Sequence, residues 1–585
     1  MVARHLKVET GAPTAQSSDD ARTSTPPARA ALVCALFAAL IAIAVCLLQC
    51  PKYATPDDYI QDLYVRGAFY DTPSLLNLYS MFLFTAPVSL LYCLIPAIPW
   101  FPVVMFLMLA ASFAALATIV CRLRVPKPAR ALLLVALASS ESMTCVYFSY
   151  TIVAFVTCAA GIALVLEQGC FRRPEAFRPS TALALLLVLE GFSLRPESGV
   201  GAALMFAPLL VWALLRNRNV RTALLALSVV GLMGVSYLTG HIAYSVTPGW
   251  ETYEATFKAA QKVADCPHLT GDEAREVVPA MSDNDLSMIY EFLLADTSTY
   301  DLDTFTALDA QVHSYGISTL MNAVLSRKSF TAFVAGLVAI VAALAAYLAR
   351  VLRLRGGARA LMWSAPVMLA LEYLIVFLRA RPKVHVILPA FAVAIFVLVV
   401  ACLAPRGSDD EGEAEATRAG KCGLVAPTVL ALCVLVVAAF VELKYARPNQ
   451  ASMYVEAGSA TQAYVDENPD KIVMFAHTQG LITNTDCLSF ESWRMPSNVM
   501  FVGGYEQYTA PWQTFLAANN LKLDGLFMNL LDGSRMVAVA NAEQTQMLAT
   551  YLTEHSGSQV QAHMDESLGM GSGSIEYGVW SFSAA

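Results

Sequence analysis

Charged residues are scarce. They make up 14% of the 585-residue chain, 38 Lys and Arg with 46 Asp and Glu, where a soluble globular chain carries roughly 25%. That scarcity excludes an ordinary soluble enzyme. Positive charge is scarcer still outside the membrane-flanking connectors. Residues 246–328 hold 5 basic residues against 13 acidic, and residues 443–585 hold 6 against 14. Acidic segments of this kind exclude a nucleic-acid partner. No CxxC pair and no Cys/His zinc spacing occurs, so a structural zinc site is excluded as well. With 31 Gly and 28 Pro the chain is close to average in both, which rules out a fibrous or disordered protein.

Apolar residues are what the chain has in excess: 57%, with a mean hydropathy of +0.55. They recur in runs long enough to span a bilayer, and a polytopic α-helical membrane protein is the expected class. Most of the thirteen cysteines sit in or beside these runs, where Cys behaves as a small hydrophobe. Cys50, Cys266 and Cys487 fall in segments expected outside the cytoplasm. Cys266 and Cys487 are either a disulfide or two thiols, since sequence does not show proximity.

Topology follows from charge parity. Of the 38 basic residues, 21 lie in the N-terminal tail or in short connectors around residues 122–130, 172–178, 216–221, 350–359 and 406–421. By the positive-inside rule all of these face the cytoplasm. Neighbouring inside connectors must be separated by an even number of crossings. The count is about 11 spans, with a cytoplasmic N-terminus and an extracytoplasmic C-terminus in the plasma membrane. Residues 1–29 read as a disordered tail, and 30–442 as the membrane domain. The first run, residues 30–49, is taken as a retained span rather than a signal peptide.

Between residues 30 and 122 three apolar runs occur, yet parity allows two to cross. The middle run, with Asn77, Ser80 and Pro87, is the weakest, so residues 51–99 are expected to form an outer loop with an interfacial helix. Residues 246–328 form a second, larger outer loop. Residues 443–585 alternate strand-like runs, 471–476, 498–502 and 536–540, with helical ones such as 541–555, giving a small extracytoplasmic α/β domain. That domain carries no phosphate loop, metal spacing or nucleophile elbow.

Chemistry concentrates after the first span, in Thr55-Pro56-Asp57-Asp58-Tyr59-Ile60-Gln61-Asp62-Leu63-Tyr64-Val65-Arg66. Adjacent carboxylates just beyond the lipid suit a general base or a metal ligand. They equally suit plain helix capping: Thr55 is a good N-cap, Pro56 fits the first helical position, and Asp58 stands at the capping-box position. Adjacent helical residues point about 100° apart, so one acid can cap while the other works. Asp58, Asp62 and Arg66 share a face at i, i+4, i+8. Glu141, Glu190 and Glu372 lie within apolar runs, where acids are costly and pair or act.

An acidic pair after the first span, then a surface helix rich in Pro, Leu and Tyr, then a second span, resembles the opening of the GT-C superfamily of integral-membrane glycosyltransferases. The matching residues are Asp57-Asp58-Tyr59, the run 73–96 with Leu90-Leu91-Tyr92, and the span from Pro99-Trp100. The motif order covers about residues 30–125, and residues 126–442 match only in their layout of hairpins.

The resemblance implies transfer of a sugar from a polyprenyl-phosphate carrier to a lipid, glycan or protein acceptor in the cell envelope, with Asp57 or Asp58 as base. It further implies cations at the departing phosphate, with a divalent cation as the one cofactor admitted and no metal ligands assigned. Arg195 at one outer turn, and Arg379, Arg381, Lys383 and His385 at another, are the candidates. The latter group also suits snorkelling to lipid headgroups. Tyr59, Asp62, Arg66 and Glu197 are the further pocket candidates. A transporter or lipid flippase, and a non-catalytic envelope assembly protein, are the competing readings.

Overall fold

The computed structural model describes residues 27–49, 51–68, 73–170, 179–217, 220–265, 269–312, 317–379, 382–403, 424–445, 460–476, 487–488, 497–502, 504–532, 535–570 and 575–585. In chain order the helices of its first three-quarters are α1 (Pro27–Gln49), α2 (Pro56–Arg66), α3 (Phe82–Leu94), α4 (Trp100–Arg122), α5 (Lys127–Val146), α6 (Tyr150–Cys170), α7 (Pro179–Leu194), α8 (Pro196–Asn217) and α9 (Val220–Val246). There follow α10 (Trp250–Asp265), α11 (Gly271–Val277), α12 (Asp283–Tyr290), α13 (Leu302–Gln311), α14 (Ile317–Ser326), α15 (Lys328–Val351), α16 (Gly356–Leu378), α17 (Val384–Ala401) and α18 (Val425–Tyr445).

Among the described residues ten helices, α1, α4, α5, α6, α8, α9 and α15 to α18, are long and apolar enough to cross a membrane. The chain is an integral membrane protein. The sequence predicts about 11 spans, and the eleventh is α7, apolar but shorter than these ten. Its 16 residues rise about 24 Å, short of a hydrocarbon layer of about 30 Å. It lies tightly against α6, where glycines let the backbones meet: a Cβ at Gly191 would overlap the Cys158 backbone, and one at Gly161 the Ala184 carbonyl. Helix α3 has 13 residues with Pro87 inside, so at about 20 Å it is too short to cross.

Helix α6, buried along its whole apolar length, and α17, buried over most of it, form the axis of the bundle. Phe113 of α4 meets Phe396 of α17 edge to face at 5.4 Å. The chain leaving α1 is then hooked onto the α5–α6 turn. Ala54 N donates to Phe148 O at 2.7 Å, and Tyr53 stacks on Phe148. This contact places the start of α2.

The C-terminal domain is a five-stranded sheet in the order β2-β1-β3-β5-β4, formed by β1 (Ile472–Phe475), β2 (Val499–Phe501), β3 (Met536–Asn541), β4 (Val560–Met570) and β5 (Glu576–Ala584). Its first three strands are parallel and form buried apolar runs, as their sequences predict. The antiparallel β4–β5 hairpin has no counterpart in the sequence reading. Most of β4 is exposed, so it lacks the alternation that marks a half-buried strand.

The segment between α9 and α15 and this domain pack on each other. Buried Asp296 accepts from the Gly525 and Phe527 amides, both at 2.9 Å, and Asn284 Nδ2 donates to Met547 O at 3.1 Å. Cys487 Sγ donates to Pro51 O at 3.0 Å. Cys50 and Cys266 lie outside the described residues.

Candidate active site

A cavity of about 1350 Å³ opens where six parts of the chain meet. These are the start of α2, the turns α5–α6, α7–α8 and α16–α17, the inner face of α10, and residues 504–506 of the C-terminal domain.

The start of α2 forms as its sequence dictates. Pro56 occupies the first turn, the two acids follow it, and Gly67 ends the helix at φ 74° with its N–H turned back on Leu63 and Tyr64, a left-handed stop that glycine accepts without strain. Helical rotation then separates the acids. Asp57 lines the cavity.

Asp58 is fully buried and is not among the residues lining it. One of its oxygens accepts from Thr55 N at 3.0 Å and Thr55 Oγ1 at 2.6 Å, and the other from Tyr150 N at 2.6 Å. Burial pushes its carboxyl up to about 7, against the pull of those hydrogen bonds. Asp58 therefore ties α2 to the first turn of α6.

Asp62, one turn on, is committed in the same way. It accepts from Tyr53 Oη at 3.1 Å and Tyr92 Oη at 2.8 Å, and its 2.7 Å ion pair with Arg66 is flanked by Arg66 over the Tyr92 ring. Tyr59 is buried edge-on to Tyr53. Tyr59, Asp62 and Arg66, pocket candidates by sequence, lie in the packed flank of α2 and do not line the cavity. Asp62 and Arg66, four and eight residues past Asp58, share its inward face by the helical period, and Tyr59 is turned onto Tyr53.

Arg195 does line the cavity. It sits between α7 and α8, where its Nη1 donates to Tyr150 Oη at 2.6 Å and Thr151 Oγ1 at 2.5 Å. The guanidinium lies over the Tyr150 ring. Burial works against its charge, but Tyr150, Glu197 and Asp57 hold it above the ordinary arginine range. Exposed Glu197 stands 3.8 Å from it on the same wall. From the α16–α17 turn come Arg379, Lys383 and His385, and from α16 itself Glu372. Arg381 lies outside the described residues.

Several lining residues have no warning in the sequence. Tyr79 stacks on Tyr150 and meets Phe257 edge-on, and Phe257 in turn stacks on Tyr253 and touches Tyr505. This wall offers flat aromatic faces such as those found in small-molecule sites. Lys258 and Lys262 of α10 also line the cavity, each held by an acid, Glu254 and Asp309.

Glu506 is the least foreseen, because it belongs to the C-terminal domain. It is 2% exposed, and burial, with the charge of Asp57 added, pushes its carboxyl up to about 7. The one sequence signal is the run Gly503-Gly504-Tyr505-Glu506 directly after a buried strand.

Among the described residues, the one group of three or more potential metal ligands with atoms within 4.8 Å of one another is Asp285, Glu554 and His555. It lies away from the cavity, at the seam between α12 and the helix Ala542–Ser556. Asp285 there serves the Ser282 cap, accepting from Ser282 N at 3.1 Å.

No protein-family model matches the chain, and no curated protein does. Among solved structures the chain is similar to ArnT from Cupriavidus metallidurans in the apo state, at 14% identity and a TM-score of 0.38, over 95% of this chain and 98% of that one.

Proposed function

We propose that the protein is a membrane glycosyltransferase, with Asp57 as its general base. It moves a sugar from a polyprenyl-phosphate carrier to a hydroxyl of a cell-envelope acceptor outside the cytoplasm. The observation that carries this reading is the gathering of Asp57, Arg195, Arg379, Lys383 and His385 around one cavity. They come from three separate elements.

The acceptor oxygen attacks the anomeric carbon, and its proton passes to an Asp57 carboxylate oxygen. The bond from the anomeric carbon to the phosphate oxygen breaks, inverting that carbon. The polyprenyl phosphate leaves with the electron pair and an added negative charge. Arg195 is fixed in place by Tyr150 and Thr151, so it meets that charge already oriented, which is where electrostatic stabilisation is most effective. Arg379 and Lys383 supply further positive charge at the cavity wall, and the aromatic wall suits the apolar face of a sugar ring. In this reading the cavity faces outward, the N-terminus is cytoplasmic and the C-terminal domain is extracytoplasmic.

The test uses membranes carrying the full chain, supplied with a mixture of radiolabelled polyprenyl-phosphate hexoses and pentoses. Label passes to the envelope fraction with the native chain, and the Asp57→Asn variant slows it by about 10²–10⁴-fold. Full transfer by that variant, or movement of the lipid-linked sugar across the membrane with no transfer, overturns the proposal.

A further inference from the structure

Glu506 occupies an expensive position. Backbone amides of Tyr505 and Glu506 reach its carboxyl, but Oε1 is buried and has no hydrogen-bond partner among the described residues, and the residue lines the cavity. A buried carboxylate oxygen left without a donor costs far more than a satisfied one, and such orphans in a native structure call for an explanation.

The loop that carries it is fixed to the helix that carries Asp57. Tyr64 of α2 is hydrogen-bonded through its hydroxyl to Thr509 Oγ1 at 2.7 Å, and Thr509 Oγ1 donates to the Glu506 carbonyl at 2.7 Å. Trp250 braces Tyr64 edge-on, and the Tyr505 ring is held by both Phe257 and Phe292. Next to the acid, Gly504 leaves room that no other residue does: a Cβ there would overlap Glu506 Oε2. The bare backbone at 504 thus holds the carboxylate folded over it, beside Asp57 and within reach of its charge.

We propose that Glu506 is the acceptor-contacting carboxylate of the cavity: its Oε1 accepts a hydrogen bond from a hydroxyl of the acceptor, and the C-terminal domain thereby completes the active site. This rests on the glycosyl-transfer reading above and names the part of the site that takes the acceptor. A carboxylate repels the donor's phosphate, for which the cations of the α7–α8 and α16–α17 turns are suited. A hydroxyl-bearing acceptor supplies the donor that Oε1 lacks. A bond to Glu506 leaves a neighbouring hydroxyl for Asp57 to deprotonate, and the rigid Tyr64–Thr509 link sets the spacing of the two acids.

Two variants test it in the membrane assay with the same radiolabelled polyprenyl-phosphate sugars. Glu506→Gln keeps the shape and replaces one acceptor oxygen with a donor, and Gly504→Ala keeps the carboxylate but displaces it. Each is expected to slow transfer to the envelope fraction about ten- to a hundredfold, the loss of one hydrogen bond to a charged group. Photo-capture of a diazirine-bearing polyprenyl-phosphate sugar stays within about twofold of the native chain, because the donor side is untouched.

Native rates in both variants overturn the inference. So does equal loss of donor capture and transfer with a lowered melting temperature, which marks a structural acid. Asp57→Asn separates the two levels. If it is inactive while Glu506→Gln is normal, only the role of Glu506 fails, and if it is fully active the glycosyl-transfer reading itself fails.

Discussion

Within two turns α2 carries three aspartates and uses them in two different ways. The cavity edge of the helix holds Asp57, while its packed flank holds Asp58 and Asp62, each with its oxygens engaged by named protein donors. The flank is an anchor: Asp58 grips the first turn of α6, and Asp62 gathers Tyr53, Tyr92 and Arg66. The edge faces the cavity, which Arg195, Glu197 and Glu506 also line. One residue of rotation, about 100°, divides them. Neighbouring identical side chains thus take up opposite positions through helical phase alone: two of the three carboxylates fix the helix, and the third, Asp57, reaches the cavity.

The sharpest way to break this comparison is to exchange the effects. Asp57→Asn is expected to remove about 10²–10⁴ of the transfer rate with no change in the denaturation midpoint in detergent. Asp62→Asn is expected to do the reverse, leaving a largely buried Arg66 without its counter-ion, at a cost of about 3–5 kcal/mol. A smaller loss, about 1–3 kcal/mol, is expected of Asp58→Ala, which strips the cap and orphans the Tyr150 amide. Denaturation curves of the purified chain read both. If Asp58→Ala were as stable as the native protein, or Asp57→Asn less stable than either, the division of duties along α2 would be wrong.

Much of this was legible in the residues. Thr55-Pro56 before two acids specifies a capped helix, and the 100° rule says that only one acid of the pair can cap. Basic turns outside the connectors that charge parity assigns to one side stand out, and Arg195, Arg379, Lys383 and His385 line one cavity. Of the expected spans, ten are helices of full membrane length, and α7 is the apolar one that is shorter. The pocket role expected of Tyr59, Asp62 and Arg66 ignored what lies opposite them: Tyr53 and Tyr92, nine and thirty residues from Asp62, make that face a packed one. Glu506 was invisible for the same reason at longer range. Its significance lies in a contact across 445 residues, from Tyr64 to Thr509, and no local pattern encodes it.

That long contact yields the smallest effect and the most discriminating one. Tyr64→Phe removes a single hydroxyl from a buried site where Thr509 keeps its bond to the Glu506 carbonyl, so the stability loss is expected to be about 1 kcal/mol. If α2 and the C-terminal domain merely touch, nothing else changes. If the link spaces Asp57 from Glu506, the variant loosens the acceptor and leaves the donor alone, raising the acceptor concentration needed for half-maximal transfer about two- to fivefold while capture of the polyprenyl-phosphate sugar holds. A variant that changed donor capture instead would move the link's role to the flank of α2, and the edge would then owe its geometry to Asp58 and Asp62 alone.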